Sequence, residues 1–141
     1  MHEMSPDERR LFLMAGTRTG MLGTTCRDGS PHVVPIWFVL DGDTVVFTCD
    51  GHSMKATALR RDPRVSICVD DQQPPYSFVE MRGTAELSED LDELRTWATL
   101  IGARFMGADQ AEEFGARNAV PGELLVRLDP EKTIARAEIA H

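Results

Sequence analysis

Short stretches rich in apolar residues, separated by turn-forming residues, fill the first half of the chain and predict β-strands. Three of these stretches cover residues 21–26, 32–40 and 44–49. The segments between them, Arg27 to Ser30 and Asp41 to Asp43, have the Asp-Gly composition of tight turns. The pattern therefore predicts an antiparallel meander of three strands.

Helices are predicted on both sides of this meander. Ser5-Pro6-Asp7-Glu8 is a capping box with proline at the first helical position, so a helix is predicted from Ser5 to Ala15. A short helix is predicted from Ser53 to Arg61, where Asp62-Pro63 ends it. A longer amphipathic helix is predicted from Asp90, with an apolar face formed by Leu91, Leu94, Trp97, Ile101 and Phe105.

Further apolar stretches extend the predicted strands beyond the meander. They cover residues 65–69, 77–87, 124–128 and 133–139, with a short helix near residues 109–117. Antiparallel strands in close succession with few helices favour a mainly β fold, a closed or Greek-key barrel with peripheral helices. A length of 141 residues fits a single domain that spans residues 1–141.

The second predicted strand, residues 32–40, is apolar on both faces. A barrel strand that faces water on its outside alternates apolar and polar residues instead. The helix from Asp90 could cover part of the outer face, but a second copy of the chain is the simpler explanation. The sequence therefore predicts a homodimer.

Composition and charge exclude several classes of function. A formal net charge of −8 argues against binding to nucleic acids or to anionic membranes, since both need a basic surface. No run of residues approaches the roughly 20 apolar residues of a membrane span. The segment Met1 to Asp7 lacks the apolar core of a signal peptide, so a cytoplasmic location is expected.

The cysteines give no sign of a metal site. Cys26, Cys49 and Cys68 are odd in number and widely spaced. Only Cys49 has a histidine at metal-like spacing, His52, and no further ligands accompany the pair. We therefore expect buried thiols and no bound metal.

A cluster of cations in an otherwise acidic chain points to an anionic ligand. Four basic residues lie within ten positions: Lys55, Arg60, Arg61 and Arg64. Lys55 falls in the first turn of a predicted helix, where a cation opposes the helix dipole. Together with the Ser53 hydroxyl and the free N–H groups of that turn, its ammonium is typical of a phosphate site. The alternative is a solvated surface lysine.

An aromatic pair precedes this cluster and suggests a site for a flat ring. Trp37 and Phe38 lie on opposite faces of a regular strand, so one is expected in the core and the other against a ring system. We predict that the backbone of Pro35, Ile36 and Trp37 forms the wall of this ring site. In the alternative, both aromatic residues are simply buried.

Other candidates complete the predicted site. His52 is expected to contact the phosphate or to cap the helix, and the pair Arg60-Arg61 to reach a phosphate or an acidic tail unless it pairs with Asp62. Tyr76 and Phe78 are candidates to close the pocket from the partner subunit, with core packing as the alternative for Phe78. No residue is an obvious general acid, so no catalytic residue is assigned.

Five segments fall in an order and spacing that match a known family. These are Gly20 to Thr25, Asp28 to Phe38, Lys55-Ala56, Leu59 to Val65 and Val79 to Ala85. They resemble the pyridoxamine-phosphate-oxidase-like split-barrel family, and most closely its deazaflavin-dependent branch, whose members use coenzyme F420. Phe105 to Gly107 and Asn118 to Glu123 are similar to the tail of that branch.

The resemblance implies both an architecture and an activity. It implies a six-stranded antiparallel Greek-key split β-barrel, a homodimer, and one cofactor site per subunit at the dimer interface that includes Ala56 beside Lys55. The implied activity is that of an oxidoreductase in which reduced coenzyme F420 transfers a hydride to a small planar electrophile, such as an activated alkene, an imine or a conjugated ring. The alternatives are an FMN-binding oxidoreductase of the same fold, or a non-catalytic protein that binds a flavin or a tetrapyrrole.

Oxidation of vitamin B6 is not expected from this chain. Members of the family that bind FMN and oxidise pyridoxamine phosphate usually have a basic residue on the second strand and a basic C-terminus. Here residues 32–40 contain neither lysine nor arginine, and the chain ends with Glu138-Ile139-Ala140-His141.

Overall fold

The computed structural model describes every residue from Met1 to His141. Its nine strands are β1 (His2–Glu3), β2 (Gly20–Thr25), β3 (Pro31–Ile36), β4 (Val39–Asp41), β5 (Thr44–Asp50), β6 (Arg64–Asp71), β7 (Ser77–Ser88), β8 (Glu123–Leu128) and β9 (Lys132–Ala137). Its helices are α1 (Pro6–Met14), α2 (Met54–Arg61), α3 (Leu91–Phe105) and α4 (Ala111–Asn118), with a 3-10 turn at Ala108–Gln110. The predicted class, a mainly β fold with peripheral helices, is confirmed.

All strand pairs are antiparallel, in the order β3-β2-β6-β7-β8-β5-β4, with β9 on β7 and β1 on β9. The long strand β7 belongs to both halves of this sheet. Its residues 77–84 pair with β6, and its residues 85–88 pair with β8. We call β3, β2, β6, β9 and the start of β7 the first half-sheet, and β8, β5, β4 and the end of β7 the second. The change of partner along β7 curls the sheet into a half-barrel.

The predicted strand at residues 32–40 is divided in two, which corrects the sequence interpretation. β3 pairs with β2 in the first half-sheet, whereas β4 pairs with β5 in the second. The chain crosses between the halves at Trp37 and Phe38, so no single strand can continue through them. Phe38 points into the barrel and is fully buried, and Trp37 lies outside with 40% of its surface exposed.

The number of strands also differs from the six that the resemblance implied. The division of one strand adds β4 to the count, and the short strands β1 and β9 pair with each other at the edge of the first half-sheet. The predicted strand at residues 133–139 is confirmed as β9, although β9 ends at Ala137.

The inner core fills the concave side of the curled sheet. Large, fully buried side chains come from strands of both halves, from the crossing between β3 and β4, and from α2: Leu22, Phe38, Phe47, Leu59, Ile67 and Met81. Helix α1 contributes Leu13. The predicted capping box is present, because Ser5 Oγ accepts the Glu8 N–H at 3.1 Å and the Glu8 carboxylate accepts the Ser5 N–H at 3.3 Å.

A second core lies between α3 and the outer face of the second half-sheet. Its buried members are Val39, Val46, Leu94, Ile101 and Leu125. Helix α3 begins after Asp90, whose carboxylate accepts the N–H groups of Asp92 and Glu93 at 2.9 and 3.0 Å. Because α3 packs on β4, β5 and β8, it leaves the outer face of β3 uncovered. None of the helices combines the length and the apolar character needed to cross a membrane.

Candidate functional site

A cavity of about 400 Å³ opens where the ends of β3 and β5 meet the helices. It is lined by residues from both half-sheets, from the first turn of α2 and from the helix pair: Pro35, Ile36, Trp37, Thr48, Cys49, Asp50, Lys55, Ile101, Phe114, Asn118 and Glu123. Four of the predicted site residues, Pro35, Ile36, Trp37 and Lys55, therefore line one cavity.

The aromatic wall of the cavity is formed by Trp37 with support from the helices. The Trp37 ring stacks on Phe105, with ring centroids 5.0 Å apart and an angle of 2° between the planes. Phe114 lies 6.0 Å from Trp37 at a tilt of 31°. Since Trp37 is partly exposed and Ile36 lies buried beside it, the wall offers a flat apolar surface on which a planar heterocycle can stack.

Lys55 brings positive charge to the same cavity. It lies in the first turn of α2, which contains no acidic residue. Its neighbour Asp50 is within ion-pair distance of His52 instead, at 3.3 Å, and Lys55 itself takes part in no ion pair. An ammonium that forms no ion pair, at a helix N-terminus, is suited to bind an anionic group.

Two carboxylates line the cavity with this lysine, and their pKa values are shifted in opposite directions. Asp50 and Glu123 are directly opposite each other in the pairing of β5 with β8. The His52 N–H, 2.8 Å from the Asp50 carboxylate, is the main reason that the pKa of Asp50 is lowered. Burial raises the pKa of Glu123, the charge of Asp50 raises it further, and Lys55 opposes both. Glu123 is thus the carboxyl group of the cavity with the raised pKa.

A close backbone contact places these two carboxylates beside each other. The Gly51 N–H donates to the Gly122 carbonyl at 2.8 Å. A Cβ at Gly51 would lie only 2.4 Å from that oxygen, and Gly122 has a φ of 98°. Both positions favour glycine for these reasons. The contact joins the loop before α2 to the start of β8.

Cys49 is buried at the inner side of the cavity. Burial raises the pKa of its thiol to about 11, an effect that the charge of Lys55 only partly offsets. The thiol therefore stays protonated near neutral pH and is a poor nucleophile. No group of three or more His, Cys, Asp or Glu residues is placed to bind a metal ion.

Ser53 and Ala56 form the helix cap and do not line the cavity. Ser53 Oγ accepts the Ala56 N–H at 3.2 Å and donates to the Asp50 carbonyl at 2.7 Å. The Ala56 side chain is fully buried in the inner core. The structure thus assigns the Ser53 hydroxyl to the helix, whereas the sequence interpretation gave it to a phosphate.

A second cavity of about 460 Å³ lies on the other side of the start of α2. It contains the predicted residues His52 and Arg61, and it also has two basic residues that were not predicted, Arg27 and His32. The Nδ1 atom of His32 is buried without a hydrogen-bond partner. Four basic side chains thus surround a space that no acidic residue lines.

The arginine pair at the end of α2 has two separate roles. Arg60 donates to the Gly51 carbonyl and stabilises the loop before α2. Arg61 donates to the Thr25 carbonyl beside the second cavity. The suggested pairing with Asp62 is wrong, because Asp62 binds Arg64 at 2.7 Å.

Tyr76 and Phe78 lie away from both cavities. Tyr76 follows Pro75 with a φ of 64° and is largely exposed. Val79 and Met81 point into the inner core, so Phe78, on the alternate side of β7, faces outward. Core packing, the alternative considered for Phe78, is therefore wrong. That either residue reaches the cavity of a partner subunit stays a prediction.

The sequence interpretation missed the residues that approach the cavity through tertiary packing. These are Thr48, Cys49, Asp50, Ile101, Phe114, Asn118 and Glu123. One signal was available, because the segment Asn118 to Glu123 was among those similar to the deazaflavin branch. The helix residues carried no such signal, since Ile101 is indistinguishable in sequence from an ordinary core residue.

Comparisons with known proteins agree on the fold. The family model described as pyridoxamine 5'-phosphate oxidase matches residues 6–136. A conserved hypothetical protein of Mycobacterium tuberculosis is 29% identical, with a TM-score of 0.85 over 96% of this chain and 86% of the other. A candidate pyridoxamine 5'-phosphate oxidase of Listeria innocua is 25% identical, with a TM-score of 0.70 over 92% and 96%.

A third solved structure, named as an F420 reductase, is 23% identical to this chain. Its TM-score is 0.63, and the match covers 87% of this chain and 94% of the other. At this level of identity the likeness extends to the fold alone.

Proposed function

Because the chain belongs to the pyridoxamine 5'-phosphate oxidase family, we propose that it is an oxidoreductase that binds reduced coenzyme F420 at Trp37 and Lys55. Its substrate is a small planar electrophile, such as an activated alkene, an imine or a conjugated ring, which accepts a hydride. The observation that carries the proposal is the presence, in one cavity, of a flat aromatic wall and an ammonium group free of any ion pair.

The size of the cavity supports a ring ligand. A volume of about 400 Å³ is within the usual range for small-molecule sites. The tilt of Phe114 against Trp37 adds a second aromatic surface to the wall. Trp37 and Phe114 would hold a flat ring, and Thr48 and Asn118 line the same cavity as polar groups.

The anionic part of the cofactor has two sources of positive charge. Lys55 lies at the start of α2, and the second cavity adds the charges of Arg27 and Arg61 on the other side of that start. A cofactor with its phosphate near Lys55 and its acidic tail toward the second cavity would be bound by both groups of basic residues. This basic surface is local, in a chain whose formal net charge is −8.

When bound, reduced F420 supplies a hydride, which is a two-electron reductant. The residues of the chain bind and orient the ring, and the side chains of Trp37, Ile101 and Phe114 exclude water from it. Glu123 is the carboxyl group that lines the cavity and has a raised pKa, so it is our candidate to exchange a proton with a substrate. Water can serve the same purpose.

A homodimer in the cytoplasm is part of the proposal. The outer face of the first half-sheet is uncovered and adjoins the cavity at Pro35. A second copy on this face would bury it and would bring further residues to the site. Phe78 lies on that face, in keeping with a contribution from the partner subunit.

The choice of cofactor is tested by titration of the cofactor-free protein with F420 and with FMN. We expect a lower dissociation constant for F420. Tighter binding of FMN, or FMN retained stoichiometrically through purification, would support the FMN-binding oxidoreductase instead. Binding of either cofactor without turnover, over a panel of reductants and electrophiles, would support a non-catalytic binding protein.

The anion site is tested by Lys55→Ala. Loss of a charge-assisted hydrogen bond to phosphate costs on the order of 1.5–3 kcal/mol, so we expect a roughly ten- to hundredfold loss of F420 affinity. The thermal midpoint of the apo-protein should hardly change, because a cation in the first turn of a helix does not stabilise the helix dipole.

Lys132→Ala is the matched control, since the chain contains only two lysines. Lys132 is exposed at the start of β9 and does not line the cavity. We expect this variant to bind F420 as the wild type does. Equal affinities for Lys55→Ala and the wild type would remove the anion site from the proposal.

A further inference from the structure

The aromatic wall of the cavity is supported from behind by a residue that does not line it. Phe105, the last residue of α3, stacks on Trp37 at 5.0 Å with nearly parallel rings. It is not among the residues that line the cavity. Trp37 itself lies in the crossing between β3 and β4, where the pairing of neither strand fixes its side chain. The orientation of the wall therefore depends on the end of α3.

Arg104 fixes the end of α3 against this crossing. Its guanidinium donates to the carbonyls of Phe38, Leu13 and Gly16 at 2.7, 2.8 and 3.0 Å. The guanidinium carbon also lies 4.7 Å from the centre of the Phe38 ring and 4.9 Å from that of Phe105. One half-buried cation thus joins α1, the crossing and the ring behind Trp37.

The other side of α3 is packed closely against α4. A Cβ at Gly102 would lie 2.8 Å from the Cβ of Phe114. Because Gly102 has no side chain, α4 approaches closely enough to bring Phe114 to 6.0 Å from the Trp37 ring. The last two turns of α3 thus set the positions of both aromatic residues that line the cavity.

We propose that Phe105 is a positioning residue, which fixes the Trp37 ring as the wall of the cavity and thereby sets the affinity of the cavity for flat ring ligands. This inference rests on the proposed function only in its use of the cavity as a ring site. It does not depend on the choice between F420 and FMN, because both present a flat ring to the wall.

The experiment uses Trp37 as its own reporter. The chain has two tryptophans, so in a Trp97→Phe background Trp37 is the only one, and excitation selective for tryptophan excludes the tyrosine signal. In this background, Phe105→Leu and Phe105→Met remove the stacked ring but keep an apolar side chain, whereas Phe105→Tyr keeps the ring. The probes are riboflavin, a flavin ring without phosphate, and FMN, the same ring with phosphate. Dissociation constants come from quenching of Trp37 fluorescence.

We expect riboflavin affinity to fall roughly two- to tenfold in Phe105→Leu and Phe105→Met, as loss of an aromatic pair predicts. FMN affinity should fall by the same factor, so that the ratio of the two is unchanged. Acrylamide should quench Trp37 more readily, and its near-UV circular dichroism should weaken. Phe105→Tyr should restore all of these properties. Lys55→Ala should instead lower the affinity for FMN and leave the affinity for riboflavin unchanged, because only FMN has a phosphate.

Several results would overturn the inference. Wild-type affinity and wild-type Trp37 spectra in Phe105→Leu and Phe105→Met would show that the stack positions nothing. A loss that Phe105→Tyr does not restore would point to packing volume rather than to the ring. If riboflavin and FMN fail to quench Trp37 fluorescence in the Trp97→Phe protein, Trp37 is not the wall of a ring site. Failure of F420 alone to bind would overturn the proposed cofactor and leave this inference standing.

Discussion

The two half-sheets have similar inner faces but different outer faces. In the second half-sheet, α3 covers the outer face, and a separate core of buried residues such as Val46 and Leu125 lies beneath it. In the first half-sheet no helix covers the outer face, and apolar side chains remain exposed there: Met21 at 40% and Val33 at 59%. We call this uncovered outer face, with Pro35, Cys68, Phe78 and Ile134 beside those two residues, the open face.

In this chain a helix covers the outer face of one half-sheet and leaves the outer face of the other exposed. Both half-sheets carry apolar residues on the outside, so sequence pattern alone does not distinguish them. Charged residues interrupt the apolar ones on the open face, because Glu80 lies opposite Cys68 and Ile134, and Asp70 and Arg136 lie opposite Phe78. A surface that mixes apolar and charged residues is compatible with a protein–protein interface. The cavity lies at the boundary, because Pro35 belongs to the open face and Trp37 packs under the helices. If the two faces differ in this way, substitutions on the covered face should change the free energy of unfolding, and substitutions on the open face should change self-association.

The largest effect is expected in the covered half. Leu94 is fully buried between α3 and the sheet, so Leu94→Ala should lower the free energy of unfolding by about 2–5 kcal/mol. Leu100, on the same helix, is 47% exposed, and Leu100→Ala should change it by no more than about 0.5 kcal/mol. Urea unfolding monitored by circular dichroism measures both. Similar losses of stability in the two variants would show that α3 does not bury Leu94 against the second half-sheet.

A smaller effect is expected on the open face, in self-association rather than in folding. Val33→Glu places a charge on this face, on its edge strand β3, and loss of one valine buried in a dimer is worth roughly 1.5–3 kcal/mol. The dissociation constant of the proposed dimer should therefore rise on the order of ten- to hundredfold. Light scattering at micromolar concentration should give the mass of two chains for the wild type and a lower average mass for the variant.

Leu11→Glu is the control for this substitution, because Leu11 is 76% exposed on α1, away from the open face. It should leave the mass unchanged. A wild-type protein that has the mass of one chain at this concentration would contradict the proposed dimer, and the open face would then need another partner.

The smallest effect is expected in the reactivity of the cysteines. Cys68 lies on the open face, whereas Cys49 points into the barrel, where burial raises its pKa to about 11. Alkylation of Cys68 by iodoacetamide, followed by mass spectrometry, should slow several-fold as protein concentration rises and the dimer forms. Cys49 should react slowly at every concentration. In Val33→Glu, the protection of Cys68 should move to a roughly ten- to hundredfold higher protein concentration, because the dimer is weaker. Protection at the same concentration as in the wild type would show that it does not come from self-association.

Local sequence was sufficient for most of the elements. The capping box at Ser5, the turns after β2 and β4, and the end of α2 before Pro63 are where they were predicted, because each depends on residues within a few positions of one another. The strand at residues 32–40 was the main error. Its apolar run continues through Trp37, and only the change of pairing partner divides it.

The candidate site was predicted in part for the same reason. Lys55 and the wall at Pro35 to Trp37 were found because a cation in a first helical turn and an aromatic pair after a strand are local signals. Glu123 and Phe114 were missed, since they reach the cavity from segments far along the chain. Ser53 was correctly placed at the helix start, but its hydroxyl is already used by the Ala56 N–H.

The sequence by itself determined the mainly β class, the order of strands and helices, and the basic helix start in an acidic chain, because periodicity, caps and turn residues act over short distances. The tertiary structure alone decided which half of the sheet α3 covers, where the chain crosses between the halves, and which residues share the cavity with Lys55. Those outcomes depend on which of several similar apolar faces pack together. The free energies of these alternative packings differ through the shapes and contacts of the side chains. A pattern of apolar and polar residues specifies neither.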